Sequence, residues 1–169
     1  MEQTRWATHG PPGTVNAHPH ISGNISVVHN GIIENYQELK DELIKSGYEF
    51  NSETDTEVIA HLFHLNYNKY NDILTAFINT IKQLEGSYAI EAVCKDEPDL
   101  IISARKNSPL VIGLGNGNNF AASDVTAFLK YTWDVVFVED SEIALLKKDE
   151  VKFFDVDGNP ITKESTTIN

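Results

Sequence analysis

Three short blocks near the start of the sequence concentrate side chains that can hold and polarise a small molecule. They are Thr4-Arg5-Trp6-Ala7-Thr8-His9-Gly10, Asn16-Ala17-His18-Pro19-His20 and Val27-Val28-His29-Asn30-Gly31. Arg5 offers a planar fork of donors suited to a carboxylate. Thr8 and His9 add hydrogen-bonding groups, and Trp6 supplies a wall that excludes water. A surface turn with a snorkelling arginine and a half-buried tryptophan accounts for the same residues equally well. In Asn30-Gly31, the glycine admits close approach of a backbone N–H, and the asparagine amide adds a second donor. Two donors converging on one oxygen form an oxyanion hole, although Asn-Gly is also a common turn dipeptide. Asp55, within Ser52-Glu53-Thr54-Asp55-Thr56-Glu57, opens a helix, where the dipole favours an acid for structural reasons. Its functional alternative is a carboxylate paired with a substrate ammonium. Arg5 and Asp55 would together recognise both charges of a free amino acid, leaving Asn30 and Gly31 to polarise its side chain.

Other reactive residue types lead elsewhere. His18 and His20 are two apart, and His61 and His64 three apart, but neither pair comes with Cys or carboxylate ligands at a zinc spacing. We therefore expect no metal site. Cys94, the single cysteine, follows a strand without a local histidine or helix N-terminus, and reads as a small buried hydrophobe. Asp155-Val156-Asp157-Gly158 lacks the remaining ligands of a calcium loop.

The elements that must position these residues follow from periodicity and punctuation. Residues 4–24 are rich in Gly and Pro and read as a structured loop. Ile25–Val28 reads as a short strand running into His29-Asn30-Gly31. Asn35 with Glu38, and Thr54 with Glu57, have capping-box spacing. The first opens a helix with Tyr36, Leu39 and Leu43 on one face, stopped at Gly47. The second opens a helix with Val58, Ile59, Leu62 and Leu65 on its apolar face. Tyr48–Phe50 reads as a brief extended stretch. Asp72 caps a third helix, with Ile73, Phe77, Ile78, Ile81 and Leu84 facing inward and Gly86 as its stop. Seven short β-rich runs follow: Tyr88–Val93, Leu100–Ala104, Leu110–Leu114, Phe120–Ala122, Val135–Val138, Ile143–Leu146 and Val151–Phe154. Ser123 reads as the cap of a short helix over Val125–Lys130, and Asp157-Gly158 as a turn. Helices followed by many strands make an α+β domain on largely antiparallel sheet.

Composition bounds the function classes. The 169 residues are 41% hydrophobic and 22% charged, which suits one globular domain spanning residues 1–169. The net charge of −12 argues against a nucleic-acid partner. No apolar run approaches the ~18 residues of a membrane span, and no secretory signal is visible. One cysteine fits a reducing, cytoplasmic setting.

Thr4–Gly10, Asn16–His20, Val27–Tyr36 and Ser52–Ile59 closely resemble the glutaminase domain of the glutamine–fructose-6-phosphate aminotransferases, which are class II glutamine amidotransferases. The likeness continues through Gly86-Ser87-Tyr88, Ser108–Gly113 and Ala122-Ser123-Asp124, at matching spacing. Other class II amidotransferases, such as the phosphoribosyl-pyrophosphate enzyme, share the Asn-Gly and Asp elements but lack the wording of the first two blocks. The resemblance implies the four-layer αββα sandwich of N-terminal-nucleophile hydrolases. It implies L-glutamine as substrate, no cofactor, attached sugar isomerase domains and a homodimer. Arg5 would then bind the glutamine α-carboxylate and Asp55 its ammonium. Trp6, Thr8 and His9 would belong to a loop closing over glutamine, supported by His18. Asn30 and Gly31 would supply the oxyanion hole.

The family's nucleophile is an N-terminal cysteine whose α-amine acts as base, whereas this sequence opens Met1-Glu2-Gln3-Thr4. The expectation is a partial domain, without the nucleophile segment and the isomerase part, that does not hydrolyse glutamine alone. It would also self-associate through an uncovered sheet edge. Rival readings are a non-catalytic glutamine-binding module, an inert fragment, or another class II amidotransferase.

Overall fold

The computed structural model describes residues 10–169, so Arg5, Trp6, Thr8 and His9 lie outside the described residues. The glycine- and proline-rich segment resolves into turns up to Pro19 and then a short strand, β1 (His20–Ser22), paired with β2 (Ile25–Ile33). The sequence reading missed β1 because its three residues, His-Ile-Ser, carry no run of β-formers. It also ended the next strand too early: β2 continues through Asn30-Gly31, with Asn30 opposite Ala89 and Gly31 opposite Tyr88.

Three helices follow: α1 (Tyr36–Lys45), α2 (Thr56–Tyr70) and α3 (Ile73–Ile81). Only Asp72 caps its helix as expected, its carboxylate accepting the Thr75 N–H at 2.9 Å. Asn35 precedes α1 but makes no capping bond. Its amide instead donates to the Gln83 carbonyl and accepts from the Glu85 N–H, tying the start of α1 to the end of the α3 segment. The expected box at Thr54 and Glu57 also does not form. Glu57 reaches further back, to the N–H groups of Asn51 and Ser52. Tyr48–Phe50 forms no strand; Tyr48 and Phe50 pack their rings against His61. Gly86 opens a strand rather than stopping a helix, since α3 ends at Ile81.

The remaining strands are β3 (Gly86–Cys94), β4 (Glu97–Lys106), β5 (Val111–Leu114), β6 (Asn119–Ala122), β7 (Asp134–Phe137), β8 (Ile143–Leu146), β9 (Val151–Phe154), β10 (Pro160–Ile161) and β11 (Thr166–Thr167). All seven expected β-rich runs are strands. The helix expected over Val125–Lys130 is one 3₁₀ turn, Val125–Ala127, capped by Asp124 rather than Ser123. Among the described residues two antiparallel sheets result, in the orders β1-β2-β3-β4-β8-β9-β10 and β11-β7-β5-β6.

The larger sheet is the central layer. Side chains alternate between its faces, and both faces are covered. Ile25, Val27, Ile90, Ala92, Ile102 and Ile143 face the three helices. Ala89, Ala144 and Leu146 face Ile112 and Val136 of the smaller sheet. The far side of the smaller sheet is closed by Phe128 against Val111 and Val135. Among the described residues the layers are therefore helices, sheet, sheet and a 3₁₀ turn: the expected α+β sandwich, with a slight outer layer.

Candidate functional site

Two glycines set the backbone at the end of β2. Gly31 has φ +117°, and a Cβ there would lie 2.3 Å from the Ser87 carbonyl oxygen. Gly86 has φ +111°, and its Cβ would meet the Ile32 carbonyl at 2.2 Å. Neither position tolerates a side chain, so β2 and β3 approach closely where Asn30 and Gly31 lie. Ser87 adds a second tie, its hydroxyl accepting the Ile32 N–H at 3.1 Å.

Asp55 is brought to the same strand end. It is 4% exposed and precedes α2, yet its side chain makes no cap bond. One carboxylate oxygen instead accepts the Ile33 N–H at 2.8 Å. The helix-dipole reason for an acid at this position therefore does not exhaust its role. Asn30, Gly31 and Asp55 converge from two elements on one region.

His18 joins them through Thr56. The Thr56 hydroxyl lies 2.9 Å from His18 Nε2 and 3.1 Å from His29 Nδ1, and His29 Nε2 lies 3.4 Å from the Ser87 carbonyl oxygen. A parallel pair links His20 Nε2 to Thr54 Oγ1 at 2.9 Å. Asn16 completes the fastening: it donates to the Pro11 carbonyl and accepts the Glu53 N–H. The loop that follows Gly10 is thus pinned to the start of α2 at Glu53, Thr54 and Thr56.

Sequence reasoning missed Asn16, His29, Thr54, Thr56 and Ser87. A signal was present: His18 and His20 are two apart in sequence, as are Thr54 and Thr56, whose hydroxyls they meet. Only the fold reveals that the two sets face each other.

Deeper along α2, His61 bridges Ser22 Oγ at 2.8 Å and Glu57 at 2.9 Å. Burial alone would raise the Glu57 pKa, but hydrogen bonds from His61, Ser52 and Asn51 outweigh it and bring it down to about 2. This cluster is structural, holding the 51–57 segment that presents Asp55. Cys94 is 1% exposed and sits in the helix-side core, as expected for a buried hydrophobe. It lies five residues along β3 from Ala89, the partner of Asn30, or roughly 17 Å, too far to attack anything held there.

Among the described residues, a cleft of about 560 Å³ opens between the two sheets beside Asn30, lined by Val28, Ala89, Glu91, Ala121 and Phe128. Burial pushes the Glu91 carboxyl up to about 7. No helix among the described residues is long and apolar enough to cross a membrane.

The arrangement sets a buried carboxylate beside a strand end built for close backbone approach. The family described as "Glutamine amidotransferase domain" matches residues 14–130. The glutamine–fructose-6-phosphate aminotransferase (isomerizing) of Caldanaerobacter subterraneus subsp. tengcongensis is 57% identical over 162 residues, covering 95% of this chain and 26% of the relative. That of Methanosarcina acetivorans is 56% identical, covering 98% of the chain and 28% of the relative. The chain thus spans about a quarter of the length of these relatives. The solved glutamine phosphoribosylpyrophosphate amidotransferase from B. subtilis superposes with a TM-score of 0.76 at 27% identity, over 94% of this chain and 35% of that one. The sandwich is the N-terminal-nucleophile hydrolase fold, and the chain belongs to the glutamine amidotransferase domain family.

Proposed function

We propose that this chain is the glutaminase part of a cytoplasmic glutamine–fructose-6-phosphate aminotransferase. In this reading residues 1–169 form part of the amidotransferase domain, which works with sugar isomerase domains in a homodimer. L-Glutamine is hydrolysed to glutamate, and the ammonia serves the conversion of fructose 6-phosphate to glucosamine 6-phosphate. Arg5 takes the α-carboxylate and Asp55 the ammonium. Trp6, Thr8 and His9 close over the substrate, and His18 supports them. A cysteine thiolate, the family's N-terminal nucleophile, adds to the side-chain amide carbon, and the carbonyl oxygen takes up the negative charge. Donors at Asn30 and Gly31 stabilise that oxyanion. The proton that the thiol gave to the family's N-terminal α-amine passes to the amide nitrogen, and collapse then expels ammonia and leaves a glutamyl thioester, which water hydrolyses to glutamate and the free thiol.

The observation that carries this reading is the Asp55–Ile33 hydrogen bond of 2.8 Å. It fixes a buried carboxylate two residues beyond Gly31, within reach of an amino acid whose side chain lies at Asn30. Titration calorimetry of L-glutamine into the chain tests it. We expect heat of binding in the wild type, weakened at least tenfold in Asp55→Ala and in Arg5→Ala. Affinity unchanged by both substitutions, or no preference for glutamine over its D-enantiomer, would count against it.

A further inference from the structure

We propose that the Thr56 hydroxyl is a positioning group that couples the His18 loop to the backbone at Gly31, through a hydrogen-bond chain with a fixed direction. The inference rests on the glutamine-site reading above and adds residues to it. The direction follows from what each atom can do. The Ser87 carbonyl oxygen only accepts, so His29 carries its hydrogen on Nε2. In neutral His29 the Nδ1 atom is then an acceptor, and the Thr56 O–H must donate to it. Thr56 has one hydrogen to give, so its lone pair receives the hydrogen on His18 Nε2. The chain runs from His18 to Thr56, from Thr56 to His29, and from His29 to Ser87, over 2.9, 3.1 and 3.4 Å.

Its members are well placed to set the site. Thr56 is 1% exposed and His29 3% exposed, so water cannot easily replace a missing partner. Thr56 adjoins Asp55 in sequence. The carbonyl that ends the chain is the one lying 2.3 Å from where a Gly31 Cβ would stand. The Ser87 side chain also holds the Ile32 N–H. One hydroxyl therefore links the loop, the start of α2 and the β2–β3 contact. Replacing it with a methyl would remove at once the hydrogen bonds that it makes to His18 Nε2 and His29 Nδ1, and with them this link between the loop and the strand.

Two measurements on the 169-residue chain decide the matter. Long-range ¹⁵N–¹H correlation spectra of the wild type at pH 7.5 should show His29 as the Nε2–H tautomer; an Nδ1–H tautomer would overturn the chain's direction and with it the proposal. This needs no variant to fold. Calorimetry then compares Thr56→Ser, which keeps the hydroxyl, with Thr56→Val, which keeps the shape. We expect glutamine affinity within about twofold of wild type for Thr56→Ser and at least tenfold weaker for Thr56→Val. The Gly31 and Ile32 amide resonances should move in Thr56→Val alone. Wild-type affinity in Thr56→Val, or equal losses in both variants, would refute the coupling while leaving the glutamine reading intact. If the wild type itself fails to bind glutamine, the proposed function falls, and the site role of Thr56 falls with it.

Discussion

At the scale of single residues, the displaced pKa values of Glu57 and Glu91 act on stability in opposite directions. Glu57 is 4% exposed and ionised down to about pH 2, against an ordinary value of 4.5. Its stabilisation is complete above pH 4.5 and is lost as the pH falls from 4.5 towards 2. Glu57→Gln should therefore cost up to about 3.5 kcal/mol at pH 7, at ~1.4 kcal/mol for each pH unit of that interval, with the deficit shrinking below pH 4.5. Glu91 behaves inversely. The folded chain keeps its proton up to about pH 7 and the unfolded chain only to about 4.5. Stability thus falls as the pH rises through that interval and stays reduced above it. Glu91→Gln should gain about 1–2 kcal/mol over wild type at pH 8, the smaller figure reflecting partial exposure, and almost nothing at pH 4.5. Urea midpoints at the two ends of each interval check both signs. Neither displacement was legible in the sequence, because each depends on partners or burial supplied by other elements. Asp55 was legible as an acid at a helix start. Its bond to Ile33, which separates it from an ordinary helix-start acid, was not.

At the scale of elements, legibility followed the strength of local signals. The start of α3 was readable because its cap is local, Asp72 bonding Thr75 three residues on, whereas its end, expected at Gly86, comes at Ile81. Asp72→Ala should cost about 1 kcal/mol, seen as a lower thermal midpoint. The other two capping patterns looked equally good in sequence, but distant partners won their side chains: Gln83 and Glu85 took Asn35, and Asn51 and Ser52 took Glu57. The end of β2 failed for a related reason. Asn-Gly is a turn signal in isolation, yet pairing with β3 carries the strand through it. Gly31 is there to let Ser87 come close rather than to turn the chain. Gly31→Ala should accordingly cost about 2–4 kcal/mol, combining an unfavourable backbone angle with a clash against a main-chain oxygen. Ala89→Gly, across the pair from Asn30, should cost less, since it introduces no clash. Parallel urea titrations of the two variants distinguish a close-approach glycine from a turn glycine, for which Ala would be mild.

At the scale of the whole molecule, the seven-stranded sheet makes the two cores one. Adjacent residues of the same strand enter opposite cores: Ala89 and Ile90 in β3, Ile101 and Ile102 in β4, Ile143 and Ala144 in β8. A strand cannot leave one core without leaving the other. The layers should therefore unfold in a single transition, although they look separable as a helix–sheet half and a sheet–sheet half. This organisation was only partly readable. The strands were evident, but their near-continuous apolar runs did not say which face meets helices and which meets the second sheet. Two probes report the halves separately. Far-ultraviolet ellipticity follows α1, α2 and α3. Fluorescence in a Trp6→Phe background follows Trp133, whose carbonyl accepts the Ile168 N–H beside β7 and β11. We expect the two urea curves to superimpose. Phe77→Ala, a fully buried ring in the helix-side core, should lower stability by about 3–5 kcal/mol. It should move the Trp133 curve by the same amount as the ellipticity curve, although Trp133 lies on the far sheet. A Trp133 midpoint that stayed in place would mean that the smaller sheet holds together without the helices, and that the shared strands do not couple the two cores.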